Sequence, residues 1–188
     1  MTDFKNPYAY LVTGFGFVFL DMSLFGLPDI LADFLGYLSF AIGIHLLPSS
    51  HNLKRWSKKF ALMLMVLSIV VELDQWLAYK VFGEIGIQLM QFLFIAFMYY
   101  VFQLLLHIHH NLPLEMKTFK TYQRFMILML SAFVIQAFAM NIDRSIGEHL
   151  HLIALFLQLL SYLLFTWYYR ACHKYYKEIN TNKAHTLE

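Results

Sequence analysis

Glu72 and Asp74 stand in a stretch that is otherwise apolar enough to enter a bilayer. The run from Lys59 to Lys80 reads K-F-A-L-M-L-M-V-L-S-I-V-V-E-L-D-Q-W-L-A-Y-K, close to the roughly 20 residues that a spanning helix needs. A carboxylate at membrane depth is expensive and marks a candidate functional residue. Gln75 and Tyr79 follow Glu72 at helical spacing and share its face, whereas Asp74 points elsewhere. Comparable stripes recur along the chain. Asp29, Asp33 and Tyr37 share one face, Gln88 and Gln91 another, and His151, Ala154 and Gln158 a third. At about 1.5 Å per residue, Glu72 lies roughly 10–12 Å below the end of its helix and Gln91 about 10 Å below the start of the next. On the same scale Gln136 is roughly 8–10 Å deep, Asp33 and Tyr37 about 6–12 Å, and Gln158 nearer the midplane.

These depths define one slab, and the chemistry it implies is an outward-facing polar chamber. Glu72 would be its ligand or proton carboxylate, with Asp33, Tyr37, Gln75, Gln91, Gln136 and Gln158 shaping the site. A cation, a proton or an amine-bearing small molecule suits such a lining. The same side chains also serve as interhelical glue, because polar groups in lipid must find partners.

Histidines form the second constellation. His149 and His151, with Asp143 and Glu148 nearby, have the donor types of a zinc or manganese site. A metal there would fit a membrane enzyme acting on lipid. His107, His109 and His110 cluster at the end of an apolar run, with His45, His51 and His173 at similar depth, and His107 and His110 are spaced to share an ion. No H-E-x-x-H, G-x-S-x-G or Walker sequence is present, so no known catalytic motif supports these clusters. No cofactor is specified. The single cysteine, Cys172, excludes an intramolecular disulfide and a multi-cysteine metal site.

The elements that must position these residues are helices in a membrane. The chain is 60% hydrophobic and 14% charged, with a mean hydropathy of +0.56, whereas soluble domains carry about 25% charged residues. Apolar residues gather in six blocks, at about 8–24, 28–47, 59–80, 84–108, 121–141 and 149–170. The expected fold is all-α: a single polytopic membrane bundle, residues 1–188, of six transmembrane helices. Phe25-Gly26, Phe82-Gly83 and Ile146-Gly147 sit at alternate tips, which suggests three tandem helical hairpins. Six spans place both termini on one side with Lys5, Lys54, Arg55, Lys58, Lys59, Lys117, Lys120, Arg124, Arg170, Lys174, Lys177 and Lys183. Only Lys80 and Arg144 fall on the other side, so the positive-inside rule makes the termini cytoplasmic. Most carboxylates, including Glu72, fall toward the outer half.

Leu27-Pro28-Asp29, then Gly36-Tyr37, Gly43 and Leu46-Leu47, resembles a pattern in uncharacterised small polytopic membrane proteins of Gram-positive bacteria. It covers the second segment only. The resemblance implies a bacterial plasma membrane and an all-helical fold, and implies no activity.

The expected function is therefore binding or transport of a small molecule or cation in an outward-facing chamber. One alternative is a non-catalytic accessory or sensory subunit bound to another membrane protein. A second is the metal-dependent lipid enzyme. The bilayer is a partner in every case, and nothing in the sequence points to nucleic acid.

Overall fold

The computed structural model describes residues 6–21, 33–76, 83–109 and 112–185. Six helices account for nearly all of them: α1 (Pro7–Asp21), α2 (Asp33–Leu46), α3 (Asn52–Trp76), α4 (Gly83–Ile108), α5 (Leu112–Ala139) and α6 (Arg144–His185). The helix starts follow from local chemistry. Asn6 caps α1 by accepting the Tyr8 N–H at 3.1 Å, and Pro7 occupies the first turn, where a missing N–H costs nothing. His51 Nδ1 accepts the Leu53 N–H at 3.1 Å at the start of α3. Asp143 opens α6, its carbonyl accepting the N–H groups of Ile146 and Gly147.

Three of the six helices, not all six, are long and apolar enough to cross a membrane: Ile85–Ile108, Pro113–Ala139 and Ser145–Tyr175. The expectation of six spans fails for two physical reasons. The 15 residues of α1 and 14 of α2 reach only about 22 and 21 Å at 1.5 Å per residue, short of the ~30 Å hydrocarbon thickness. α3 has the length, with 25 residues, but Lys54, Arg55, Lys58 and Lys59 occupy its opening turns and Glu72 and Asp74 its end. The charge-free run between them, 60–71, amounts to about 18 Å of helix. The chain is thus a polytopic helical membrane protein in which, among the described residues, three helices are long and apolar enough to span, accompanied by two short apolar helices and one that is charged at both ends. Its outer surface agrees: Ile85, Ile127, Phe138 and Leu152 are each more than half exposed, an arrangement suited to lipid rather than water.

α1 is the most enclosed element. Tyr8, Leu11, Phe15, Val18 and Phe19 are all buried. The Phe15 ring meets Phe94 of α4, Phe125 of α5, and Tyr162 and Phe165 of α6, with centroids 5.4–5.6 Å apart. α2 lies antiparallel against α1 at a close approach that only glycine permits. A Cβ on Gly36 would stand 2.8 Å from the Gly14 carbonyl oxygen, and one on Gly43 2.9 Å from that of Pro7. Small residues at such crossings let backbones approach in membrane bundles.

Consecutive helices are neighbours all round, and α1 closes against α6. The packing does not divide into three separate hairpins, because α2 packs on α3 more extensively than α3 does on α4. Of the proposed repeat tips, 25–26 and 82 lie outside the described residues, as does Leu27-Pro28-Asp29. The start of α1 and the later part of α6 share one end of the bundle, where the Asn6 side-chain amide donates to Tyr169 Oη at 3.2 Å. This is the lysine- and arginine-rich end, and α3 and α5 both begin there.

Candidate functional site

Two polar clusters lie in the bundle, one toward each end. In the half nearer the acidic end, Gln158 of α6 is 1% exposed and its Nε2 donates to Gln136 Oε1 of α5 at a long 3.5 Å. Gln91 of α4 is 3% exposed. Among the described residues, Gln91 Nε2 and Gln158 Oε1 are buried without hydrogen-bond partners. Their level is fixed by the aromatic core. Phe94 lies one turn beyond Gln91 and Tyr162 one turn beyond Gln158, and both rings pack on Phe15. Tyr37 of α2 reaches the same region, its ring 6.3 Å from that of Phe94.

An unpaired donor on α4 and an unpaired acceptor on α6 are thus buried one turn from rings that pack on Phe15. Leaving a buried amide group unpaired costs about 1–3 kcal/mol, so the arrangement needs a reason. Ser161, one turn from Gln158, is closed off instead, donating to the Gln158 carbonyl at 2.7 Å.

The remaining sequence candidates are less central. Glu72 and Asp33 are half-buried on α3 and α2. Asp74, which the helical face assigns away from Glu72, is buried. The side chain of Gln75 lies outside the described set. Gln88 Nε2 contacts Met140 Sδ and ties α4 to α5 near the acidic end.

The outer metal set does not assemble. Asp143, Glu148, His149 and His151 are all exposed, and His149 Nδ1 donates to the Ser145 carbonyl at 2.7 Å. Among the described residues, no three His, Cys, Asp or Glu side chains come together as a metal site would require. The physical reason is helical phase: His149 binds back onto its own helix, and Asp143 serves as the helix opening. At the other end the His107 ring packs against His51 at a tilt of 46°, centroids 4.2 Å apart, and His110 lies outside the described residues.

The second cluster surrounds His109, which sits just past the end of α4 and is fully buried. His109 Nε2 lies 3.0 Å from Tyr8 Oη of α1. Its Nδ1 lies 3.0 Å from Thr118 Oγ1 of α5 and 3.3 Å from Tyr168 Oη of α6. Thr118 Oγ1 and Tyr168 Oη are 2.8 Å apart, and the Thr118 hydroxyl donates to the Leu114 carbonyl at 2.8 Å.

That last bond settles the protons. With its hydrogen committed to Leu114, Thr118 can only accept, so both His109 Nδ1–H and the Tyr168 hydroxyl donate to it. Nε2 is then the bare nitrogen and accepts from Tyr8. Every group is satisfied with a neutral imidazole. Burial pushes the His109 pKa down to about 4, which agrees with that assignment. The network pins α1, α4, α5 and α6 together at the basic end and leaves no nucleophile or general base exposed to a substrate. Sequence reading identified His109 only as one of an interfacial trio and did not reach Tyr8, Thr118 or Tyr168. The available signal was the sequence Asn111-Leu112-Pro113 shortly after His109, residue types that stop a helix.

No family model matches the chain, and no curated protein and no solved structure matches it.

Proposed function

We propose that the protein is a membrane-embedded, non-catalytic binding protein that admits a small polar or cationic guest to the amide slab between α4, α5 and α6. The observation that carries this reading is the pair of open valences on Gln91 and Gln158. A donor and an acceptor, both buried, complement a guest bearing a carbonyl or hydroxyl oxygen together with an ammonium, amide or hydroxyl hydrogen. Gln136 orients the Gln158 amide, Tyr37 borders the same region, and Glu72 and Asp33 belong to the approach from the acidic end. The charge asymmetry supports a cytoplasmic basic end by the positive-inside rule, and on that reading the guest enters from outside. A bacterial plasma membrane is the setting that the resemblance in α2 suggests.

The test uses purified protein in detergent with a panel of amino acids, polyamines and monovalent cations, read by thermal shift. At least one probe is expected to raise the melting temperature of the wild type and to leave Gln158→Leu unmoved. A wild type indifferent to the whole panel, or a Gln158→Leu variant that responds equally, contradicts the reading.

A second reading, an accessory subunit of another membrane protein, draws on a different observation. The 42 residues of α6 make a helix of about 63 Å, twice the hydrocarbon thickness. Its later turns extend past the spanning portion, which ends at Tyr175, and offer a partner a handle on the basic side.

A further inference from the structure

A cavity of about 460 Å³ opens between α5 and α6 at the basic end. One wall is the face of α5 that carries Lys117, Lys120 and Arg124, spaced i, i+3, i+7 so that all three project to one side. The opposite wall is Leu164, Trp167 and Tyr168 of α6. Among the described residues no acidic side chain borders it. Charge orientation across the membrane accounts for lysines at this end, but does not require three cations to rim one cavity. Nor does it require that cavity to be walled by an indole and a leucine. The back wall is fixed, because Tyr168 Oη is held by Thr118 and His109. The deeper side is apolar: Ile127 is 64% exposed one turn beyond Arg124, and Leu163 is 53% exposed beside Leu164.

We propose that this cavity binds the phosphate headgroup of an anionic phospholipid. Lys117, Lys120 and Arg124 contact the phosphate oxygens, Trp167 covers the glycerol level, and the acyl chains run down past Ile127 and Leu163. The arrangement of charge above and apolar surface below fits an amphiphile, whereas a free anion would use only its upper half. Basic pockets between membrane helices take anionic headgroups by this chemistry, and an indole at the headgroup level is its ordinary station. The site is separate from the amide slab and does not depend on a guest there.

The test is native mass spectrometry of the full chain released from neutral detergent micelles, titrated with phosphatidylglycerol or with phosphatidylcholine of the same acyl chains. One-to-one retention of phosphatidylglycerol over phosphatidylcholine is expected. Lys117→Gln with Lys120→Gln should weaken that retention by about 25-fold, taking each surface cation as worth about fivefold. Arg55→Gln with Lys58→Gln removes the same charge at the same end outside the cavity and should change it by less than about threefold. The melting temperature of each variant in phosphatidylcholine confirms that it is folded. Equal loss in both variants would mean a diffuse field and would overturn the site. So would equal retention of the two lipids, and so would displacement of the lipid by millimolar inorganic phosphate, which would identify a site for a soluble anion.

Discussion

His109 shows how one side chain organises an end of the molecule. Its imidazole is buried and neutral, accepts from Tyr8 and donates to Thr118. The groups facing it from the packed elements are Tyr8 of α1, Thr118 of α5, and Tyr168 and Tyr175 of α6, none of which offers a compensating negative charge. A histidine whose pKa falls to about 4 from an ordinary 6.5 binds fewer protons folded than unfolded between those two values. Stability from this residue is therefore complete above about pH 6.5 and is lost as pH falls toward about 4, by about 3 kcal/mol at the limit. The melting temperature should drop between pH 7.5 and pH 5, and His109→Gln, destabilised at neutral pH, should show a flatter profile. A wild type and variant with parallel pH profiles would remove His109 from that role.

At the scale of helices, the close crossing of α1 and α2 decides the packing. Gly36 has no room for a Cβ, which would meet Val18 Cγ2 at 2.6 Å as well as the Gly14 carbonyl. Gly36→Ala gains up to about 1 kcal/mol in helix propensity and loses about 1–3 kcal/mol to overpacking against backbone that cannot move cheaply. A net fall in melting temperature is expected for Gly36→Ala. Thr13→Ala, on the exposed side of α1, should be close to neutral. An unchanged Gly36→Ala would mean that the crossing is looser than described.

The element scale is also where the sequence was partly misleading. Gly14, Gly16 and Asp21 interrupt the apolar run of the first block, yet Tyr8, Leu11, Phe15, Val18 and Phe19 of α1 are all buried. Glycine lowers apolar content along a segment, and the same lack of a side chain lets α2 approach. Hydropathy counts the first effect and is blind to the second. The blocks at 84–108, 121–141 and 149–170 correspond to helices long and apolar enough to span, because their signal is local. Six spans were too many because the cost of charges in α3 and the shortness of α1 and α2 depend on where the helices begin and end.

For the whole molecule, the site was legible only where spacing within a helix carried it. Gln91, Gln136 and Gln158 could be placed in one slab by depth alone, and Gln136 and Gln158 do meet. The His109 network could not be read, since its partners Tyr8 and Tyr168 lie 101 and 59 residues away and nothing local couples them. The outer histidines and acids were close in sequence yet did not converge, since neighbours along a helix point in different directions. The contrast between the two clusters then carries the functional account. The His109 network at the basic end is satisfied throughout, while Gln91 Nε2 and Gln158 Oε1 in the amide slab are left open at a cost to stability. Sites that hold unsatisfied groups for a ligand are commonly stabilised when those groups are replaced.

The most direct measurement of that claim is the guest-free melting temperature of Gln91→Leu with Gln158→Leu, compared with the wild type in the same detergent. If the slab is an open site, removing the unpaired Gln91 Nε2 and Gln158 Oε1 raises the melting temperature, despite the loss of the long Gln158–Gln136 hydrogen bond. A clear fall would mean that the amides hold the bundle together, and would contradict the proposed binding function.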